Sequence, residues 1–157
     1  WTSQYGDALD AFRDIIAALT FPTSGAAVFT NIEFITDAPL GPDSYPMALI
    51  SVTGSTPDDD NDYSRHLVNI EVEVRQAIHS RDSGEGQILG ALRTSDENVG
   101  AGLADIVEAL TKGTEYLTTS DNAEIKDYIA LERVGRFESS GTYASVRVFY
   151  TGLLQIV

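Results

Sequence analysis

An aspartate-rich segment at residues 58–62 carries the side-chain type that binds calcium. Asp58, Asp60 and Asp62 have the i, i+2, i+4 spacing with which an EF-hand calcium loop begins. The rest of that pattern is missing, because Tyr63 stands where the loop needs glycine and Asn69 stands where it needs glutamate. We therefore predict an acidic loop in water at this segment and no calcium site.

The histidines and the paired carboxylates show no catalytic or metal-binding arrangement. His66 and His79 differ in strand parity, so a continuous strand would point them to opposite faces and away from a shared zinc ion. Glu71 and Glu73 share one strand face, which on a solvated surface serves solubility. No H-E-x-x-H sequence occurs. We predict no metal ligands.

Nucleotide-binding and hydrolase motifs are missing from the sequence. Residues 84–87, with the sequence GEGQ, lack the G-K-[ST] ending of a phosphate loop and the third glycine of a dinucleotide-binding turn. Glu85 in that segment would also repel a phosphate. Serines are plentiful, but no G-x-S-x-G sequence is present. The prediction is a protein that is not an enzyme, with no catalytic and no cofactor-binding residues and no cofactor.

In two stretches the apolar residues have the spacing of an amphipathic helix, and we expect each helix to pack its apolar face on a sheet. The first covers residues 7–19 and is followed by Pro22, which ends helices. The second covers residues 99–110 and is followed by Gly113, a suitable C-cap. Thr94 and Glu97 have the spacing of a capping box before it.

Five stretches have the pattern of β-strands: residues 28–35, 46–52, 67–78, 125–137 and 142–157. The third is the clearest, because apolar and polar residues alternate along it and so predict one buried and one solvated face. Gly135 is expected to mark a bulge. Residues 37–45 are predicted to be a loop, residues 54–64 a hairpin tip or flexible loop, and residues 138–141 a hairpin turn.

The order of these elements predicts the fold class. Helix, three strands, helix and two strands, without strict alternation, are typical of an α+β protein with a mainly antiparallel sheet. A chain of 157 residues suits one domain. We therefore predict a single domain over residues 1–157, in which two main helices pack on a sheet of about five strands.

Charge and composition exclude several classes of protein. There are 24 Asp and Glu against 10 Lys and Arg, giving a net charge of −14, and only two of the cations are lysines. Binding to nucleic acid or to an anionic membrane needs a basic patch, so neither is expected. The chain has no cysteine for disulfides or thiolate sites, and no apolar run approaches the roughly 20 residues of a membrane helix.

The acidic composition leaves two interpretations open. A saline environment would screen the repulsion among the carboxylates, which favours a protein from such an environment. The alternative is an ordinary acidic protein that its charge keeps in solution.

The last predicted strand carries apolar residues on both faces. Tyr143, Phe149 and Leu153 lie opposite its core stripe, and an apolar second face needs a cover. Tyrosine and phenylalanine, of which the chain has seven and six, supply anchors of the kind that interfaces use. The cover is either another part of the same chain or a neighbouring subunit.

As a whole, the arrangement resembles the tail terminator proteins of long-tailed phages, of the siphovirus and myovirus type, and of archaeal tailed viruses. The likeness rests on an opening helix, a Pro-led apolar strand at 46–52, the alternating strand at 67–78, a second helix ending at Gly113 and a closing hairpin with an aromatic-rich strand at 145–157. It spans nearly the full chain as a pattern of elements without an invariant signature. The acidic segment at 58–62 and the scarcity of lysine depart from the pattern and fit a virus of a salt-loving archaeal host.

The resemblance implies a structural virion protein in the tail or neck, assembled in the host cytoplasm. Such a protein forms a ring with its own copies, typically a hexamer, caps the tail tube, ends its polymerisation and joins tail to head. The implied partners are the tail tube protein and the head–tail connector protein, while DNA passes through the ring without specific binding, and no membrane is involved. The alternatives are another neck, connector or tail-tube component and, less favoured, a small ligand-binding or enzymatic α+β domain.

Overall fold

The computed structural model describes residues 4–21, 25–34, 45–59, 62–77, 102–114, 116–118, 128–139 and 143–155. Within these ranges the chain forms two helices, α1 (Gln4–Ala17) and α2 (Leu103–Thr114). The same ranges contain seven strands, which are β1 (Asn31–Phe34), β2 (Met47–Asp59), β3 (Asp62–Ala77), β4 (Tyr116–Thr118), β5 (Tyr128–Val134), β6 (Glu138–Ser139) and β7 (Tyr143–Gln155).

The strands form one sheet with the order β1-β2-β3-β7-β5-β4. β1 runs parallel to β2, and the other neighbouring strands are antiparallel. β5 and β6 both pair with β7, at different places along it. β5 pairs with residues 148–153 and β6 with residues 144–145. The predicted α+β fold with a mainly antiparallel sheet and two helices is confirmed, and the structure adds the short strands β4 and β6 to the five that the sequence predicted.

Residues 54–64 were predicted to be a hairpin tip or a flexible loop, and the β2–β3 hairpin does end within this segment. The paired strands extend further into it than predicted, because β2 and β3 stay paired as far as Asp59 and Asp62. Gly54 and Pro57 are tolerated because β1 pairs with β2 only up to Ile50, so that among the described strands this part of β2 lies at an edge. The register between β2 and β3 is irregular at Val52/Gly54 and at Pro57/Asp59. These irregularities accommodate Gly54 and Pro57, which fit poorly in a regular strand.

Other predicted boundaries also shift. α2 begins at Leu103, directly after Gly102, a residue type that weakens helices, and the predicted helix residues 99–101 lie outside the described residues. Glu138 and Ser139, expected in a turn, form β6. The bulge expected at Gly135 lies between Leu131 and Arg133. The predicted capping box at residues 94–97 and the GEGQ segment at residues 84–87 lie outside the described residues.

Both helices pack on one face of the sheet, where the hydrophobic core lies. The buried core residues are Leu9, Phe12 and Ile16 of α1, Val28 and Phe29 before β1, Leu103, Ile106, Ala109 and Leu110 of α2, and Ala48, Ile50, Val68, Ile70, Val72, Val74, Ala144, Val146, Val148 and Tyr150 of β2, β3 and β7. The strand residues recur at every second position, as the alternation along residues 67–78 predicted. In the described part of the chain, no helix is long and apolar enough to cross a membrane.

A buried hydrogen bond joins Tyr150 of β7 to Thr114 of α2 within this core. The ring of Tyr150 meets that of Phe12 edge to face, with 5.2 Å between the centroids. The Thr114 hydroxyl donates to the Leu110 carbonyl oxygen, so the Tyr150 hydroxyl, 2.6 Å away, is the donor to Thr114 Oγ1. Burial raises the pKa of Tyr150 well above its usual range.

Candidate interaction surface

The face of the sheet opposite the helices, here called the outer face, holds the candidate site. Side chains of a strand alternate between faces, so this face carries the residues that lie between the buried ones on β3 and β7. Those residues are Asn69, Glu71, Glu73 and Arg75 on β3, and Tyr143, Ser145, Arg147, Phe149 and Thr151 on β7. Unlike the core face, this face carries polar, ionic and aromatic side chains on β3 and β7, and neither described helix packs on it.

One end of the outer face is closed within the chain. Met47 and Leu49, which lie there beside Arg75 and Glu73 in the register, are fully buried, at 0% and 2% exposure. Nearby, the rings of Tyr45 and Tyr143 are 6.1 Å apart, and the Arg75 guanidinium lies 4.4 Å from the Tyr143 ring centroid. Burial also raises the pKa of Tyr45. Tyr143 therefore finds at least part of its predicted cover in its own chain.

A row of ion pairs crosses the middle of the outer face. Arg75 contacts Glu73 at 2.9 Å, and Arg147 Nε lies 3.6 Å from Glu71 and 4.0 Å from Glu73. Ser51 Oγ donates a further hydrogen bond to Glu71, over 3.4 Å. The two glutamate side chains are only 15% and 13% exposed, whereas that of Arg147 is 57% exposed. The Arg147 guanidinium is therefore more accessible to solvent than Arg75 and the two glutamates of this row.

An arginine stacked on an aromatic ring lies next to that row. The guanidinium of Arg133 on β5 lies 3.9 Å from the ring centroid of Phe149, a cation–π contact. Close packing here requires a glycine after β5, because a Cβ on Gly135 would lie 2.9 Å from the Arg147 carbonyl oxygen and 3.2 Å from the Phe149 ring. The N–H of Gly135 donates to that same oxygen, over 2.7 Å. The half-buried Phe149 is therefore covered by Arg133 of its own chain.

Arg136, in the link between β5 and β6, extends this group of cations. Its side chain is 86% exposed and contacts Glu138 at 3.3 Å. We call Arg133, Arg136 and Arg147, with Phe149, the arginine surface. Three of the six Lys and Arg side chains that the structure describes belong to it. Arg136 and Arg147 contact Glu138, Glu71 and Glu73, so the arginine surface carries paired charges of both signs.

The β2–β3 hairpin ends in a group of opposite charge. Asp58 and Asp59 end β2 and Asp62 begins β3, with Asp59 paired to Asp62. We call these three aspartates the hairpin tip. β7 pairs with β3 only as far as Arg65, three residues short of Asp62, so the hairpin tip lies at one end of the sheet.

No catalytic constellation is described at either place. Among the described residues, no group of three or more His, Cys, Asp or Glu is placed to hold a metal ion. Asp60 of the predicted acidic segment and His79 lie outside the described residues. That the protein has no metal, no cofactor and no enzymatic activity therefore stays a prediction.

Sequence reasoning found part of the outer face and missed the arginine surface. It placed Tyr143 and Phe149 opposite the core stripe, as the structure does. It did not bring Arg133 and Arg147 together, although they flank the predicted turn at residues 138–141 almost symmetrically, and that symmetry was the available signal. The stacking of Arg133 on Phe149 depends on the register irregularity in β5, which no local pattern specifies.

Comparison of the sequence with models of known protein families found no match, and comparison with curated proteins found none either.

Proposed function

We propose that this chain is a tail terminator, a virion protein that forms a ring, caps the tail tube, ends its polymerisation and joins tail to head. The observation that carries the proposal is the outer face, where a half-buried aromatic ring and exposed arginines lie on β5, on β7 and in the link after β5. Arginine and aromatic side chains are enriched at contacts between proteins. The order of helix, three strands, helix and closing hairpin supports the same function by its resemblance to that family.

The strand edges favour association through faces over association by strand addition. The outermost described strands, β1 and β4, have four and three residues. The part of β2 that β1 does not cover contains Pro57 and two register irregularities. Short edges, proline and bulges all disfavour pairing with a strand of another molecule. Contact between copies is therefore better served by the outer face.

The net charge fits passage of DNA through the ring. A ring of such chains carries a large negative charge, and binding to DNA requires cations that release counterions from the phosphates. The arginines of the outer face are already engaged with glutamates or an aromatic ring, or lie beside a glutamate. Specific binding of DNA is not part of the proposed function.

The direct test is the addition of purified protein to growing tail tubes of the same virus. A terminator stops elongation, and electron microscopy shows one ring at the end of each tube. A tube protein would lengthen the tubes instead, and a connector would bind head portals and leave tube growth unchanged. Either result would overturn the proposal.

Analytical ultracentrifugation of the protein alone, in dilute and in molar salt, complements this test. A discrete ring, or a monomer that becomes a ring only on tubes, agrees with the proposal. A monomer that carries a tightly bound metabolite and ignores tubes contradicts it and favours a small ligand-binding or enzymatic domain.

A further inference from the structure

We draw no further inference here: the strongest candidate, the arginine surface on the outer face of the sheet, carries none, because its arginines contact glutamates and an aromatic ring of their own chain and nothing in the structure shows what else covers it.

Discussion

The two faces of the sheet are made by the same strands but have opposite chemistry. On β3 and β7 the core face carries Val72, Val148 and Tyr150, all fully buried under the helices. The outer face carries Glu73 and Arg147 from the positions between them. Burying a large apolar side chain stabilises a fold by about 1.5–3 kcal/mol. The ion pairs of the outer face contribute less, because the cost of removing the largely buried Glu71 and Glu73 from water offsets much of their attraction to the arginines. The comparison teaches that the core face accounts for most of the stability of the fold. In the function proposed above, the outer face serves contact between copies.

Two phenylalanines, one on each side of the sheet, give the sharpest contrast. Phe12→Ala removes a fully buried ring that packs on Tyr150, and it should lower the free energy of unfolding by about 3–5 kcal/mol. Phe149→Ala removes mainly the contact with Arg133 and should lower it by about 1 kcal/mol, while weakening assembly. Urea denaturation measures both. Equal losses for the two variants would mean that the outer face is a second core.

Glycines offer a second contrast. In Gly135→Ala the new Cβ would clash with the Arg147 carbonyl oxygen at 2.9 Å, and we expect a loss of about 1–3 kcal/mol in stability together with weaker assembly. Gly54→Ala is the matched control, because its Cβ would meet only Asn69 Nδ2, at an ordinary 3.5 Å. Thermal unfolding distinguishes them, and a Gly135→Ala variant as stable as Gly54→Ala would show that the packing beside β5 is loose.

The buried Tyr150 predicts a dependence on alkaline pH. The pKa of Tyr150 is raised in the folded state, so its stabilising effect is complete below the ordinary tyrosine pKa of about 10 and is lost as pH rises toward the folded value. The loss from this one group is at most about 1.4 kcal/mol per pH unit. Tyr150→Phe should be less stable by about 1 kcal/mol at neutral pH but decline less steeply above pH 10. Urea titrations at pH 8 to 11 measure both slopes, and parallel slopes would contradict the buried state of Tyr150.

The smallest effect on stability and assembly is expected from a substitution on the solvent-exposed side of α2. Lys112 Nζ lies 2.7 Å from Glu108, and this hydrogen bond lowers the pKa of Glu108. Both side chains are exposed, at 67% and 62%, so water and salt screen the pair. Lys112→Ala should leave the urea midpoint and assembly unchanged. A clear change in assembly would place α2 in the interface and weaken the assignment of recognition to the outer face, whereas a shift in the urea midpoint alone would mean that the pair stabilises the helix.

Local sequence patterns predicted the core face well, because apolar and polar residues alternate along β3 and the apolar ones are buried. They did not predict the length of the β2–β3 hairpin, because Gly54 and Pro57 favour a turn locally and pairing along β3 overrides that preference. The arginine surface was out of reach because Arg133 meets Phe149 only through the register between β5 and β7. The resemblance to tail terminators, the ring and its partners stay predictions.

Charge reversal on the outer face tests most directly the central proposal, that copies of this chain assemble into a ring through this face. Arg133→Glu with Arg136→Glu reverses two exposed cations there. Arg13→Glu with Lys112→Glu changes the net charge by the same amount on the two helices. The proposal predicts that the first variant needs an about tenfold higher concentration for half-assembly in analytical ultracentrifugation, while the second assembles like the wild type. Equal assembly by the two variants would contradict it.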